Sequence, residues 1–323
     1  MAADYTTGSA SSLADLRTAV ENFLVSFGGW TAAAGTGNNR LLSKGGLFVR
    51  IGYDANRFYV FGGTGISGTV LTGESARGAC LGNATSSQPW TFPVNYEIYW
   101  NDTPEEIYIV VNYNGDKYQH LHWGRSDIPD IGGTGLWFEG SYPSTASLTG
   151  ANDARMYMSA SRNSQGTGDI YPTPYQGVWG GFFMGGESGA WTRGGGIHCG
   201  LEGAAAWRLG NSGSAVGDLR GQFQSWSLLM ALPSLFNESE VLLPIYITMR
   251  RVDTLNTIVG VLRHARMMRL DNVAVGDIIT YGSDQWKCYP LYSKNVAERN
   301  GVTWTTGAFH SGTVGIALRY PGA

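Results

Sequence analysis

"EIYIVVNYNGDKYQHLHWG", Glu106 to Gly124, decides the fold. Two runs of alternating side chains flank Asn114-Gly115. A type I′ turn needs positive φ at both central residues, which Asn followed by Gly adopts most readily. The stretch therefore predicts a β-hairpin, and strands rather than helices as the building material.

The same pattern recurs on either side. "GLFVRIGY" (46–53) and "NRFYVFGG" (56–63) flank Asp54-Ala55, a second hairpin signal. "VNYEIYW" (94–100), "ARMYMSASR" (154–162) and "LLPIYITMRR" (242–251) read as further strands. Near the C-terminus, Val275–Tyr281 reads as a strand, Gly282-Ser283-Asp284 as a turn and Gln285–Tyr289 as the return strand. Alternation puts Trp286 and Cys288 on one face of that return strand and Gln285, Lys287 and Tyr289 on the other. Cys288 then reads as a small buried hydrophobe, because no base or helix N-terminus beside it would activate a thiol.

One segment departs from the strand pattern. Leu13, Leu16, Val20, Phe23 and Leu24 recur at helical spacing, which predicts a helix over 12–26. Ser12 and Asp15 form a capping pair at its start, and Gly28-Gly29 ends it.

Composition agrees with short strands and tight turns. The 323 residues include 47 glycines and 40 aromatics, and only 15% are charged. That glycine content is roughly twice the usual ~7%, and typical domains carry about 25% charge. Glycine-rich stretches such as "GGTGISGTVLTGESARG" and "GVWGGFFMGGESGAWTRGGGIHCG" read as long loops, which a function or a partner usually holds in place. Within the second, Trp179, Phe182, Phe183 and Trp191 stand among glycines and are candidate subunit contacts.

Charge narrows the partners. Lys and Arg number 22 against 25 Asp and Glu, for a net charge of -3. This is no basic stripe for phosphates and no polybasic membrane surface, so nucleic acid and membrane are not expected partners. Cys80, Cys199 and Cys288 are too few, and odd in number, for a disulfide framework, so free thiols in a reducing cytosol are expected. The start, Met1-Ala-Ala-Asp-Tyr, shows neither a basic nor an apolar leader region, and apolar runs are far shorter than the ~20 residues of a spanning helix.

Reactive constellations are sparse. Gly63-Thr64-Gly65-Ile66-Ser67-Gly68 fits the dinucleotide pattern but lacks the helix that must follow it. His120 and His122 would share one strand face, a workable metal pair, with His198-Cys199 as further ligands; the plainer reading is a polar strand face. Asp102, Glu105, Glu106 and Glu139 could supply the two carboxylates of a glycosidase, against the plainer reading of solvated turns. No catalytic, cofactor or metal residue is assigned, and no cofactor is expected.

Three stretches taken in order resemble a broad family of tailed-bacteriophage virion proteins. They are "DYTTGSASSLADLRTAVENFL" with "GGW" (Asp4 to Trp30), "HLHWGRSDIPDIGGTGLWFEGSYP" (His120 to Pro143), and "VLRHARMMRLDNVAVGDIITYGSDQWKCYPLY" with the closing "SGTVGIALRYPG". The resemblance implies a structural subunit of the phage particle, of tail-tip, baseplate or tail-fibre type, with no catalytic residues. It implies copies of itself and other virion tail proteins as partners, and a virion location after assembly in the bacterial cytoplasm.

The expectation is then a mainly β protein of two β-rich, sandwich- or barrel-like domains with long Gly-rich loops. The first (1–145) carries the helix, and the second (146–323) ends in the hairpin 275–289 and a final strand. It is non-enzymatic and multi-copy. Two alternatives stand beside it: a carbohydrate-binding module for host-surface glycans, and a polysaccharide or cell-wall hydrolase.

Overall fold

Glu105–Tyr113 and Lys117–Arg125 pair antiparallel as expected, but Tyr113 stands opposite Lys117, so three residues connect them where a type I′ turn has two; Gly115 among them has a φ of +79°. They lie at the middle of the molecule. The structure, a computed structural model, describes residues 2–82, 90–113, 115–143, 195–201, 203–209, 219–220, 240–251, 256–270, 272–291, 294, 303–305, 308–310 and 314–322. Mainly β, these residues form three large antiparallel sheets stacked as layers and two small two-stranded ones, Gly65–Ser67 with Val70–Thr72 and Thr303–Thr305 with Ala308–His310.

The central sheet has seven strands in the order Ala3–Ala10, Val94–Asp102, Glu105–Tyr113, Lys117–Arg125, Leu136–Gly140, Gly195–Cys199 and Ala206–Leu209. A six-stranded N-terminal sheet runs Tyr142–Pro143, Ala79–Gly82, Arg57–Gly63, Leu47–Tyr53, Arg40–Lys44 and Thr31–Ala34. A six-stranded C-terminal sheet runs Leu219–Arg220, Leu243–Arg250, Asn256–Arg269, Val314–Tyr320, Asp284–Pro290 and Ile278–Tyr281.

Strand alternation explains the layering. On one face of the central sheet Ile98, Ile107, Ile109, Val111, Leu121 and Phe138 pack with Val49, Ile51, Phe58 and Val60 of the N-terminal sheet. On the other face Tyr99, Tyr108, Val110, Trp137 and Ile197 pack with Ile245, Leu262, Met267, Tyr289 and Ile316 of the C-terminal sheet. The central strands are thus buried on both sides, and each fully buried large side chain contributes about 1.5–3 kcal/mol.

The helix spans Leu13–Ser26 and buries Leu13, Leu16, Val20, Phe23 and Leu24 in the first of these cores. Ser12 Oγ accepts the Asp15 N–H at 3.1 Å, the cap read from the sequence. Gly29, at φ +65°, turns the chain away from the helix end.

Strands stand where loops were expected at two glycine-rich places among the described residues. Gly65–Ser67 and Val70–Thr72 form a small hairpin turning at Gly68, where φ is +59°. Gly195–Cys199 is a buried strand of the central sheet, paired to Trp137–Glu139. Glycine is needed there: a Cβ on Gly196 would lie 2.6 Å from the Phe138 ring. Because 195–209 rejoins the central sheet, the expected division at 145/146 coincides with no boundary between sheets. The strand expected at 154–162 lies outside the described residues.

Among the described residues, no helix is long and apolar enough to cross a membrane. Cys80, Cys199 and Cys288 are buried thiols, and burial pushes those of Cys80 and Cys288 up to about 12.

Candidate functional site

Seen from sequence, the second face of the central hairpin looks like a wet one: Glu106, Tyr108, His120, His122. It is instead buried under the C-terminal sheet. Register sets Tyr5, Tyr99, Tyr108, His122 and Glu139 side by side across five strands. Tyr99, Tyr108, His122 and Glu139 are all fully buried. This polar, aromatic seam between the central and C-terminal sheets is where the titratable groups gather.

Glu106 fastens one part of the seam. Its carboxylate accepts the Tyr108 hydroxyl at 2.7 Å and two backbone N–H groups of the opposing sheet, Arg263 at 2.9 Å and His264 at 2.8 Å. Burial outweighs these hydrogen bonds and pushes its pKa up to about 7. Close by, His264 Nε2 lies 3.1 Å from the Thr103 carbonyl, and Ser126 Oγ donates to Val259 O at 2.7 Å.

Glu97 fastens another. It accepts the Lys287 ammonium at 2.5 Å and the hydroxyls of Tyr5 and Tyr289, the latter at 2.6 Å. The Tyr99 and Tyr289 hydroxyls meet between the sheets. The Lys287 ammonium also sits 5.1 Å from the Tyr5 ring centroid and 5.8 Å from that of Tyr320. Burial raises the Tyr5 and Tyr289 phenols, and Glu97 raises them further. These groups hold one another, and Lys287 is a cross-sheet tie.

The four carboxylates considered as a hydrolytic set are divided between faces. Glu105 and Glu106 are consecutive in a strand, so they point oppositely. Glu105 lies on the N-terminal-sheet side, where Oε1 accepts Trp30 Nε1 at 2.7 Å and Trp100 Nε1 at 2.6 Å, and Oε2 pairs with Lys44 at 2.7 Å. Glu139 lies in the seam beside His122, and Asp102 is held at the Thr103-Pro104 turn by Thr103. Glu106 and Glu139 are left on one face, both fully buried between the sheets.

The His120–His122 pair does share a face, with ring centroids 5.5 Å apart. His198 does not join it; its Nδ1 accepts the Thr134 N–H at 3.0 Å and its ring packs on Trp207. Among the described residues no group of three or more His, Cys, Asp or Glu could hold a metal ion. Cys288 is buried with Trp286, Met268 and Leu270 on the outer face of the C-terminal sheet, as a small hydrophobe would be. Trp179, Phe182, Phe183 and Trp191 lie outside the described residues.

Sequence reasoning passed over Glu97, His264 and the tying role of Lys287. Alternation in "VNYEIYW" does place Glu97 on the Tyr99 face, and an acidic residue between aromatics on a strand is the signal that could have found it. The chain matches no protein-family model and no curated protein.

Proposed function

We propose that this chain is a structural, non-enzymatic subunit of a tailed-bacteriophage particle, present in several copies at the tail tip or baseplate. Two lines support the reading. The first is the ordered resemblance of Asp4–Trp30, His120–Pro143 and the C-terminal stretch to virion structural proteins. The second, which carries the argument away from chemistry, is the fate of the carboxylates. Glu105 and Glu106 are spent on indole and backbone N–H groups inside the layers, at 2.6–2.9 Å. A carboxylate enclosed in this way ties elements together and meets no substrate.

A scaffold of three stacked sheets also suits mechanical duty, because each layer is fixed by both hydrogen-bond ladders and cross-sheet ties. Quantitative mass spectrometry of particles purified from a lysate, with parallel binding to a panel of host-surface glycans, tests the proposal. A multi-copy constituent that binds no glycan is expected. Absence from the particles, or glycan binding by a free monomer, would refute it.

A further inference from the structure

His264 and His120 occupy matching positions in the seam. Each imidazole reaches from its own sheet to a backbone carbonyl of the other: His264 Nε2 to Thr103 O at 3.1 Å, His120 Nε2 to Pro290 O at 3.0 Å. A carbonyl oxygen only accepts, so Nε2 carries the hydrogen in both rings. Nδ1 is then the bare nitrogen. In both rings it is buried and has no hydrogen-bond partner among the described residues. A proton added there would create a buried cation with an unsatisfied donor.

The neighbouring charges add to this. His264 faces Arg266 of its own strand and Arg319 of the next, both cations, while Glu106 across the seam accepts its backbone N–H. His120 faces His122 beside it and the Tyr289-Pro290 segment opposite, and past His122 lie Tyr108 and Glu139. Polar ties cross the seam beside its apolar core, in which Val110, Trp137 and Ile197 meet Ile245, Leu262, Met267 and Ile316.

We propose that the seam is an acid-sensitive latch: protonation of His264 and His120 loosens the docking of the C-terminal sheet on the central sheet while both sheets stay folded.

The sign follows from the two states. Burial holds both imidazoles at about 4, below the ordinary 6.5. A depressed histidine supports docking above 6.5 and loses that support as pH falls to 4. Between pH 7 and 4 each contributes a loosening of roughly 100-fold, about ten-thousand-fold together. Glu106 opposes: held at about 7 when docked against 4.5 when exposed, it tightens docking by roughly 100-fold over the same interval. The net loosening is about 100-fold at pH 4, and His122, also depressed by burial, adds to it.

The three thiols report the event separately. Cys199 lies in the seam, Cys288 on the outer face of the C-terminal sheet, and Cys80 in the N-terminal sheet. The whole chain is pulsed at pH 7 to 4 with 4,4′-dithiodipyridine, which reacts in acid, and labelled sites are mapped by mass spectrometry. Cys199 labelling, corrected for the reagent's own pH dependence, should rise about 100-fold while Cys80 and Cys288 stay protected. His264→Gln keeps an N–H donor for Thr103 but cannot titrate, and should remove most of the rise; His120→Gln should do the same. Three thiols rising together, no rise at Cys199, or an unchanged rise in both variants would overturn the proposal.

Discussion

Replacing Glu105 separates a structural carboxylate from a chemical one. One oxygen, Oε1, accepts both indoles, Trp30 at 2.7 Å and Trp100 at 2.6 Å, while Oε2 meets Lys44. Glu105→Ala strands two indole donors at about 1–3 kcal/mol each. Lys44 is partly solvent-exposed and rotates to water, so its loss adds little. The expected cost is about 3–5 kcal/mol. Glu105→Gln retains an oxygen for both indoles and gives up only the ion pair, at about 1 kcal/mol. Urea unfolding followed by tryptophan fluorescence measures both. A Gln variant as damaged as the Ala variant, or an Ala variant within 1 kcal/mol of wild type, would refute the shared-acceptor reasoning.

Trp286→Ala should cost about 3–5 kcal/mol in the same assay, because it empties the cluster with Met268, Leu270 and Cys288. Lys287→Ala should cost about 1 kcal/mol by loosening Glu97 and its tyrosines, with no other loss. Glu106 is raised to about 7 against an ordinary 4.5, so the stability it contributes in acid is lost as pH rises through 7. From pH 5 to 8, wild type should therefore fall relative to Glu106→Gln by about 3 kcal/mol, read as the difference between the two unfolding-versus-pH curves. Thiol titration under denaturing, non-reducing conditions should find all of Cys80, Cys199 and Cys288.

Local features were legible where a single segment contains its own reason. The helix needed only its apolar spacing and Ser12; the central hairpin needed only Asn114-Gly115 and alternation. The seam was not legible for a related reason. Alternation separates Ile107, Ile109 and Val111 from Glu106, Tyr108 and Val110, but it does not say what covers the second set. The cover comes from strands more than a hundred residues further on, and a face of Tyr, His and Glu reads as solvent-facing until those strands are placed. The same holds for Tyr289, which joins Lys287 on the strand face turned toward the seam, while Trp286 and Cys288 turn outward into their own cluster. Gly195–Cys199 was hidden by composition: glycines that read as loop are instead what lets the strand lie against Phe138.

The central claim is that this chain builds a particle and performs no chemistry. Cryo-electron microscopy of the intact particle tests it most directly. The account predicts several copies of the three-layered subunit around the tail axis. Each pair should share more than ~2,000 Å² of interface, the range of permanent assemblies. A particle lacking the chain, or holding it as an isolated copy whose seam is open to a bound sugar, would contradict it.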